Sequence, residues 1–261
     1  MPIARQTEAP ELAALMGSPG VPLYREVKRT LIKLIEAGRY APAGCLPSES
    51  VIAAGMQVSI GTLRKAVDEL VHENVLVRRQ GKGTFVAIHN NDRFLFQFFH
   101  VEKRGLEVTQ AHEYPAVECV SFERVRASED EAVALGMRTN DWVFRIGNRL
   151  KLSGRPVIFD RLCISALTFK GLTENRFVDR PSTVYHLYQQ EFGITVLRAQ
   201  ERARAASTTR DVCKVLGVPL DLAVLEVHRV ALTFGERPVE YRVSTIDTRH
   251  HDYVSLLSKR S

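Results

Sequence analysis

The feature that most constrains this chain is a pair of short helix signals, closely spaced and followed at once by a hairpin signal. Ser48 precedes a helical run that ends at Gly55, and Ser59 precedes apolar residues with a 3.6-residue period over 60–73. Serine is favoured before a helix because its hydroxyl accepts a hydrogen bond from a free backbone N–H. Two helices joined by so short a turn predict a helix-turn-helix.

The neighbouring segments extend this prediction to a whole domain. An amphipathic pattern over 23–37 closes at Gly38 and predicts a preceding helix. Two β-prone runs, 75–79 and 84–86, flank a glycine-rich basic tip and predict a β-hairpin. Helix, helix-turn-helix and hairpin together predict a winged helix-turn-helix domain over 21–88. Residues 1–20, rich in Ala, Pro and Gly, are expected to form a flexible leader.

The charge is concentrated in the same stretch. The whole chain of 261 residues has a formal net charge of +6, and residues 21–88 hold ten Lys and Arg against six Asp and Glu. About two-thirds of the net charge therefore lies in about a quarter of the chain. Such a basic stretch favours a nucleic-acid partner.

The rest of the chain has a different pattern, and we expect a linker over 89–98 and a second domain over 99–255. Two pairs of strand-like runs are joined by turn signals at 153–156 and 235–238, which predicts an antiparallel sheet and an α+β fold. A helix, a glycine and two strands follow one another twice, which suggests an internal duplication. Strands are expected over 117–126, 142–152, 156–164, 195–205, 224–233 and 239–246, and helices over 129–135, 183–192 and 209–216.

Several local motifs resemble a known family. The segments are Leu46-Pro47-Ser48-Glu49, Ser59-x-x-Thr62-Leu63-Arg64-Lys65 and Arg78-Arg79-Gln80-Gly81-Lys82-Gly83-Thr84. They resemble the GntR family of bacterial transcription regulators. Farther on, the segments 148–156 and 237–241 are similar to the effector-binding UTRA domain of the HutC subfamily. The resemblance implies a chorismate-lyase-like fold for the second domain.

The resemblance implies that the first turn of the helix after Ser59 enters a major groove of DNA and that the hairpin approaches a minor groove. Ser50 and Ile60 stand where the family commonly has arginine, which leaves the operator sequence open. The residues expected to contact DNA are Ser48, Ser59, Thr62, Arg64, Lys65, Arg78, Arg79, Gly81, Lys82 and Gly83.

The resemblance also implies that a second set of residues binds an effector. Arg149 and Lys151 are two apart on one expected strand and share a face, so they favour an anionic ligand, carboxylate or phosphate. By resemblance, Glu240 follows a turn where the family often has an acid that contacts the effector. Phe99 and His100 lie near the entrance of the domain and are expected to shape the same pocket.

Other classes of protein find no support in the residues. The four cysteines are scattered without zinc spacing, and Gly81-Lys82-Gly83-Thr84 lacks the spacing of a phosphate loop. The pair His250-His251 is expected to lie in a polar tail rather than to hold a metal. No catalytic constellation, cofactor motif, signal peptide or membrane span is evident, so we expect a cytoplasmic protein that is not an enzyme.

These observations predict a DNA-binding transcriptional regulator, a homodimeric repressor whose operator binding responds to a small anionic metabolite. Two other classes stay open at this point: an enzyme with chorismate-lyase-like chemistry, and an architectural protein that binds DNA without sequence preference. The residues leave open the identity of the effector, the regulated genes, the sign of the effector's action on DNA binding, and an activator function.

Overall fold

The computed structural model describes residues 20–73, 75–87, 99–105 and 113–255. They form two compact units. The N-terminal unit contains the described residues up to 87 together with Gln189–Leu197, and the C-terminal unit contains the others. The predicted leader, except for Gly20, and the predicted linker 89–98 lie outside the described residues, so those two boundaries stay predictions.

The N-terminal unit has the predicted order of three helices and a hairpin. Each helix buries one apolar stripe, such as Val27, Leu31 and Ile35 on the first, as the 3.6-residue period requires. Both predicted serine caps form. Ser48 Oγ accepts from the N–H of Val51 at 3.4 Å, and Ser59 Oγ accepts from the N–H of Thr62 at 3.1 Å. The elements are α1 (Leu23–Glu36), α2 (Glu49–Gly55), α3 (Ile60–His72), β1 (Leu76–Arg79) and β2 (Gly83–Val86).

The hairpin is held by main-chain pairing between its strands and by a hydrogen bond from a neighbouring turn. Strands β1 and β2 are antiparallel, with Arg79 opposite Gly83. Gly83 has φ +110°, a conformation that side chains with a Cβ rarely adopt. In the turn before Cys45, Ala43 has φ 59°, so a non-glycine residue occupies the left-handed region there. Its N–H donates to Val86 O at 3.1 Å and ties the turn to the end of β2.

The rest of the chain forms eight strands, four helices and one 3₁₀ turn among the described residues. The elements are β3 (Val101–Lys103), β4 (Ala116–Arg126), α4 (Glu129–Leu135), β5 (Trp142–Leu152), β6 (Arg155–Ser165), α5 (Glu174–Val178), α6 (Val184–Phe192), β7 (Arg198–Ser207), α7 (Arg210–Leu216), β8 (Ala223–Leu232), the 3₁₀ turn Phe234–Glu236, β9 (Pro238–Ile246) and β10 (His251–Tyr253). The last four residues of α6 belong to the N-terminal unit. The C-terminal unit is built on a six-stranded antiparallel sheet with the order β4-β5-β6-β9-β8-β7, and a separate two-stranded sheet pairs β3 with β10.

The same chain order occurs twice in the large sheet. The run β4–α4–β5–β6 is followed by β7–α7–β8–β9, and the two halves meet where β6 pairs with β9. Both helices end at a glycine in the left-handed conformation, Gly136 with φ 61° and Gly217 with φ 68°. The α+β fold with an antiparallel sheet is therefore confirmed, and the repeated layout seen in the sequence corresponds to a repeat of structure.

The two faces of the large sheet have different coverings. One face, which we call the α4/α7 face, carries Val143 against α4 and Phe159 against α7. The other, which we call the β3/β10 face, carries Leu150, Ile158 and Ile246 under β3 and β10. Because successive residues of a strand point to opposite faces except at a bulge, the regular parts of each strand alternate between these two faces.

Candidate functional site

Most of the residues expected to contact DNA line one open groove of the N-terminal unit. The groove lies between the first turns of α2 and α3 and the hairpin, and its volume is about 590 Å³. From the predicted set it contains Ser48, Arg64, Arg78, Arg79, Gly81 and Gly83. The two positions that depart from the family pattern, Ser50 and Ile60, line it as well. Four residues of the predicted set lie outside this lining: Ser59, Thr62, Lys65 and Lys82.

One carboxylate organises the arginines of this groove. Arg64 Nε donates to Glu49 Oε2 at 3.0 Å, and Arg78 Nη2 donates to Glu49 Oε1 at 3.4 Å. Arg78 also pairs with Asp68 at 2.5 Å. Glu49 is the first residue of α2, where the helix dipole favours a negative charge. Since the Arg64 side chain is 60% exposed, its guanidinium is held in place and still open to a ligand.

The first turn of α3 is fixed by its cap. The N–H of Thr62 donates to Ser59 Oγ at 3.1 Å, and the two hydroxyl oxygens lie 2.8 Å apart. Ile60 is 47% exposed and presents an apolar surface to the groove. Lys65 instead has its ammonium 4.2 Å from the centre of the Tyr24 ring on α1, which places it on the flank of α3.

The hairpin tip combines positive charge with a bare backbone. The guanidinium of Arg79 lies 4.8 Å from the centre of the Phe85 ring, which directs it along the hairpin. Gly81 and Gly83 both have positive φ, and a Cβ at Gly83 would come within 3.3 Å of Cys45 Sγ. A larger residue at 83 would therefore disturb the tip. This tip is suited to a polyanion, because it combines exposed guanidiniums, the ammonium of Lys82 and two glycines without side chains.

The C-terminal unit contains a pocket on the β3/β10 face. Its apolar part includes Phe99, Leu150 and Ile158, and its polar part includes Arg229 and Arg242. The enclosed space is about 20 Å³, which is room for one water molecule. His100, Asp160, Ser244 and Tyr253 complete the polar lining.

Arg242 is the centre of a buried network of charges. Its guanidinium donates to Asp160 at 2.9 Å and to Glu240 at 2.9 Å, and Glu240 accepts from Tyr188 at 2.7 Å and from Tyr185 at 3.2 Å. Burial disfavours the charged form of Arg242, but the two carboxylates outweigh it and raise its pKa well above the ordinary value. Burial raises the pKa of both tyrosines, so they stay protonated and donate to Glu240.

Arg229 belongs to a second network in the same pocket. It pairs with Glu201 on β7, which also accepts from the hydroxyl of Tyr253. Burial alone would raise the pKa of Glu201, but Arg229 and Tyr253 outweigh it and the pKa is lowered. Burial lowers the pKa of His100, whose ring lies 5.5 Å from that of Tyr253. His100 therefore favours its neutral form.

Asn148 adds an unsatisfied group beside these networks. It is 2% exposed, lies opposite Asp160 in the register, and so belongs to the β3/β10 face. Its Oδ1 has no hydrogen-bond partner among the described residues. A buried polar atom without a partner costs about 1–3 kcal/mol, which a ligand that donates to it would recover.

The structure separates the predicted effector residues into two groups. Phe99, His100 and Glu240 share the β3/β10 face. Arg149 and Lys151 lie together, as their spacing predicts, but on the α4/α7 face, where both pair with Glu118 at 2.6 and 2.9 Å. Arg149 also donates to Val215 O on α7. These two hydrogen-bonded cations lower the pKa of Glu118 to about 2.

Sequence reasoning missed several residues of both sites. Glu49 stood in a quoted motif but was not expected to act, because nothing local shows that two distant arginines converge on it. Arg229 and Arg242 were also missed. One sequence pattern could have pointed to Arg242, because Glu240, Arg242 and Ser244 alternate with other residues along β9. That pattern, however, is also typical of a strand face exposed to solvent.

Two family models match the chain. The model of bacterial regulatory proteins of the gntR family matches residues 23–86, and the model of the UTRA domain matches residues 110–252. The first covers the capped helices and the hairpin, and the second covers the six-stranded sheet with both of its faces.

Curated relatives and solved structures agree with these matches. The chain is 32% identical over 201 residues to the "Histidine utilization repressor" of Klebsiella aerogenes, covering 77% of this chain and 80% of the relative. It is 27% identical over 238 residues to the "Probable fructoselysine utilization operon transcriptional repressor" of Escherichia coli K12, covering 88% and 96%. A ligand-binding domain from Bordetella bronchiseptica, described as part of a GntR-family regulator, is 28% identical with a TM-score of 0.56, covering 61% of this chain and 96% of that one.

Proposed function

Because this chain belongs to the GntR family of bacterial regulatory proteins and carries a UTRA domain, we propose that it is a transcriptional repressor that binds operator DNA through its N-terminal unit. The observation that carries the proposal is the groove where the capped end of α3 and the hairpin meet, lined by Arg64, Arg78 and Arg79. The relatives named as repressors support the same function. Their names favour repression over lyase chemistry and over architectural DNA binding.

The DNA contacts follow from this geometry. The first turn of α3 enters a major groove, where Thr62 and Arg64 reach phosphates or base edges. Ile60, exposed in the same turn, is placed to touch a thymine methyl rather than to hydrogen-bond guanine. The hairpin approaches a minor groove with Lys82 between two glycines, and Lys65 contacts the backbone from the flank.

The pocket on the β3/β10 face is proposed as the effector site, and the effector is a small anionic metabolite. An anionic group would accept from Arg229 and Arg242, while Phe99 and Ile158 would contact its carbon skeleton. Because the enclosed space is small, β3 and β10 must move for the ligand to enter.

Regulation is proposed to work by a shift of population between two states of a dimer. A dimer reads successive half-sites about 34–36 Å apart, and a ligand that favours a different placement of the two N-terminal units lowers operator occupancy. A coupling of about 1–3 kcal/mol changes affinity about 5- to 150-fold. Since the target is bacterial operator DNA, this function places the protein in the cytoplasm.

Selection of bound sequences from a random duplex pool tests the DNA-binding function. The salt concentration is fixed at about 0.15 M, because phosphate contacts make affinity depend steeply on salt. We expect one enriched palindrome with two half-sites. Recovery of a pool without any enriched motif would refute sequence-specific repression.

A reporter gene under the selected palindrome then tests the effector site. The comparison uses Arg229→Met on the β3/β10 face and Arg149→Met on the α4/α7 face as a matched control. We expect the Arg229 variant to repress normally and to lose its response to growth conditions that derepress the wild type. Loss of the response in the Arg149 variant alone would place the effector on the other face.

A further inference from the structure

Arg180 is a half-buried arginine just after α5, and its guanidinium is only partly satisfied. Nη1 donates to the carbonyl oxygen of Phe177, and the guanidinium carbon lies 4.5 Å from the centre of the Phe177 ring. Nε is buried, and no described residue accepts a hydrogen bond from it. No carboxylate in the described part of the chain pairs with this arginine. Its positive charge therefore lacks a counter-charge there.

The two arginines of the β3/β10 pocket are in the opposite situation. Arg229 and Arg242 each pair with at least one carboxylate. Burial disfavours their charged forms, but their neighbours outweigh it and raise the pKa of both. Burial instead lowers the pKa of Arg180, because its neighbours include no carboxylate. They are Tyr114, Tyr188 and Cys119, and burial raises the pKa of each, so all three stay neutral.

Arg180 lies on the same face of the large sheet as the pocket. The ring of its partner Phe177 on α5 lies 6.0 Å from the ring of Phe122 on β4. Phe122 is opposite Ile146 of β5, and Ile146 is two residues from Asn148 and shares its face. The segment that carries Arg180 therefore packs on the β3/β10 face, on the side of β4.

A row of side chains leads from Arg180 into the pocket. Cys119, its neighbour on β4, is opposite Asn148 of β5. Asn148 is in turn opposite Asp160 of β6, and Asp160 is opposite Ser244 of β9. Asp160 and Ser244 both line the pocket. The guanidinium of Arg180 therefore stands at the β4 end of this row, and the paired arginines lie towards its other end.

We propose that Arg180 binds the anionic group of the effector, a carboxylate or a phosphate, and so selects an anion over a neutral molecule of the same shape. This inference rests on the proposed function, because it assigns a role within the effector site. Nε and Nη2 form one edge of the guanidinium, and an oxyanion binds such an edge through two parallel hydrogen bonds. Arg229 and Arg242 donate to the same ligand without adding net charge, since carboxylates balance them.

A purely structural role for Arg180 predicts a different response to truncation. If the side chain served to pack on Phe177, Arg180→Met would lower the stability of the ligand-free chain. A ligand-binding arginine is instead a buried charge without a counter-ion until the ligand arrives, which is costly. Arg180→Met is therefore expected to leave the thermal midpoint of the ligand-free chain unchanged or to raise it, and to lose the stabilisation that an anion gives.

Thermal unfolding of the full chain, followed by circular dichroism, tests the proposal with sodium phosphate and sodium acetate as probes, against sodium chloride of equal ionic strength. At about 50 mM, at least one probe is expected to raise the midpoint of the wild type by about 2–4 °C more than that of Arg180→Met. Arg180→Lys keeps the charge without the two-pronged edge and is expected to keep part of the shift. Arg149→Met, on the α4/α7 face, is the matched control and should show the full shift.

The outcomes separate this inference from the proposed function. A shift with phosphate alone assigns a phosphate group to the effector, and a shift with acetate alone assigns a carboxylate. Equal shifts in the wild type and in Arg180→Met, including no shift in either, overturn the assignment, as does a ligand-free midpoint of Arg180→Met lowered by more than about 4 °C. An enriched palindrome together with equal shifts leaves the repressor intact and removes only the role of Arg180. A pool without an enriched motif refutes the repressor, whatever Arg180 binds.

Discussion

Replacement of Glu49 by glutamine separates affinity from specificity in the DNA-binding groove. Glu49 accepts from Arg64 at 3.0 Å and from Arg78 at 3.4 Å, so its loss frees both guanidiniums from a fixed position. The same change removes one negative charge from a surface proposed to face phosphates. Loss of the charge strengthens both specific and non-specific binding, whereas loss of the fixed position weakens specific binding only.

Their magnitudes follow from the contacts. A unit charge about 7 Å from a phosphate in water contributes about 0.6 kcal/mol, so affinity for non-specific duplex should rise about threefold in the variant. The same gain applies to the selected operator, but there a lost hydrogen bond to a positioned group costs about 0.5–1.5 kcal/mol, a factor of about two to ten. Affinity for the operator should therefore change by no more than about threefold, and the specificity ratio should fall about two- to tenfold.

Fluorescence anisotropy with the selected operator and with a scrambled duplex at one salt concentration measures this ratio. Glu73→Gln is the matched control, because it removes an equal charge from a residue that pairs with Lys28, outside the groove lining. A parallel rise of both affinities in the Glu49 variant would refute the positioning role, since only the charge would then matter.

Three further outcomes concern stability. Ala43→Gly should raise the free energy of unfolding by up to about 1 kcal/mol in a urea titration, because Ala43 has φ 59°; an unchanged midpoint would refute strain there. Arg242→Met should lower that free energy by about 3–5 kcal/mol, since Asp160 and Glu240 lose their buried partner, and a loss under 1 kcal/mol would contradict the network. The folded-state pKa of Glu118 is lowered to about 2, so the ionised carboxylate stabilises the fold at pH values above the ordinary pKa of glutamate. That stabilisation is lost as the pH falls towards 2. Glu118→Gln should therefore flatten this part of the plot of unfolding free energy against pH, measured by urea titrations between about pH 5 and pH 2. A profile unchanged by the substitution would contradict the pairing.

The N-terminal unit is readable from sequence because its determinants are local. Ser48 and Ser59 each cap a helix whose first residue is within one position of the expected start, and the hairpin follows from β-prone runs around glycines. The strands of the large sheet are also local, and their expected limits lie within three residues of the observed ones. Short elements escape this reasoning, because the three residues of β3 or β10 are too few to show a period.

The proposed effector pocket cannot be predicted from the sequence in the same way, because its burial comes from distant segments. Glu240, Arg242 and Ser244 alternate along β9 like a solvated face, and only the cover of β3 and β10 and the tyrosines of α6 turn that face inward. Arg149 and Lys151 show the reverse case. Their shared face follows from spacing, but which face it is depends on the packing of α7.

Hydroxyl-radical and methylation footprinting on the selected palindrome tests the central claim most directly, that α3 and the hairpin read operator DNA as a two-fold pair. We expect two protected half-sites one helical turn apart, and in each of them α3 should protect purines in the major groove. The adjacent minor groove should also be protected, and Lys82→Ala should weaken that protection. Protection of one half-site only, or backbone protection without any major-groove purine, would contradict this account of the repressor.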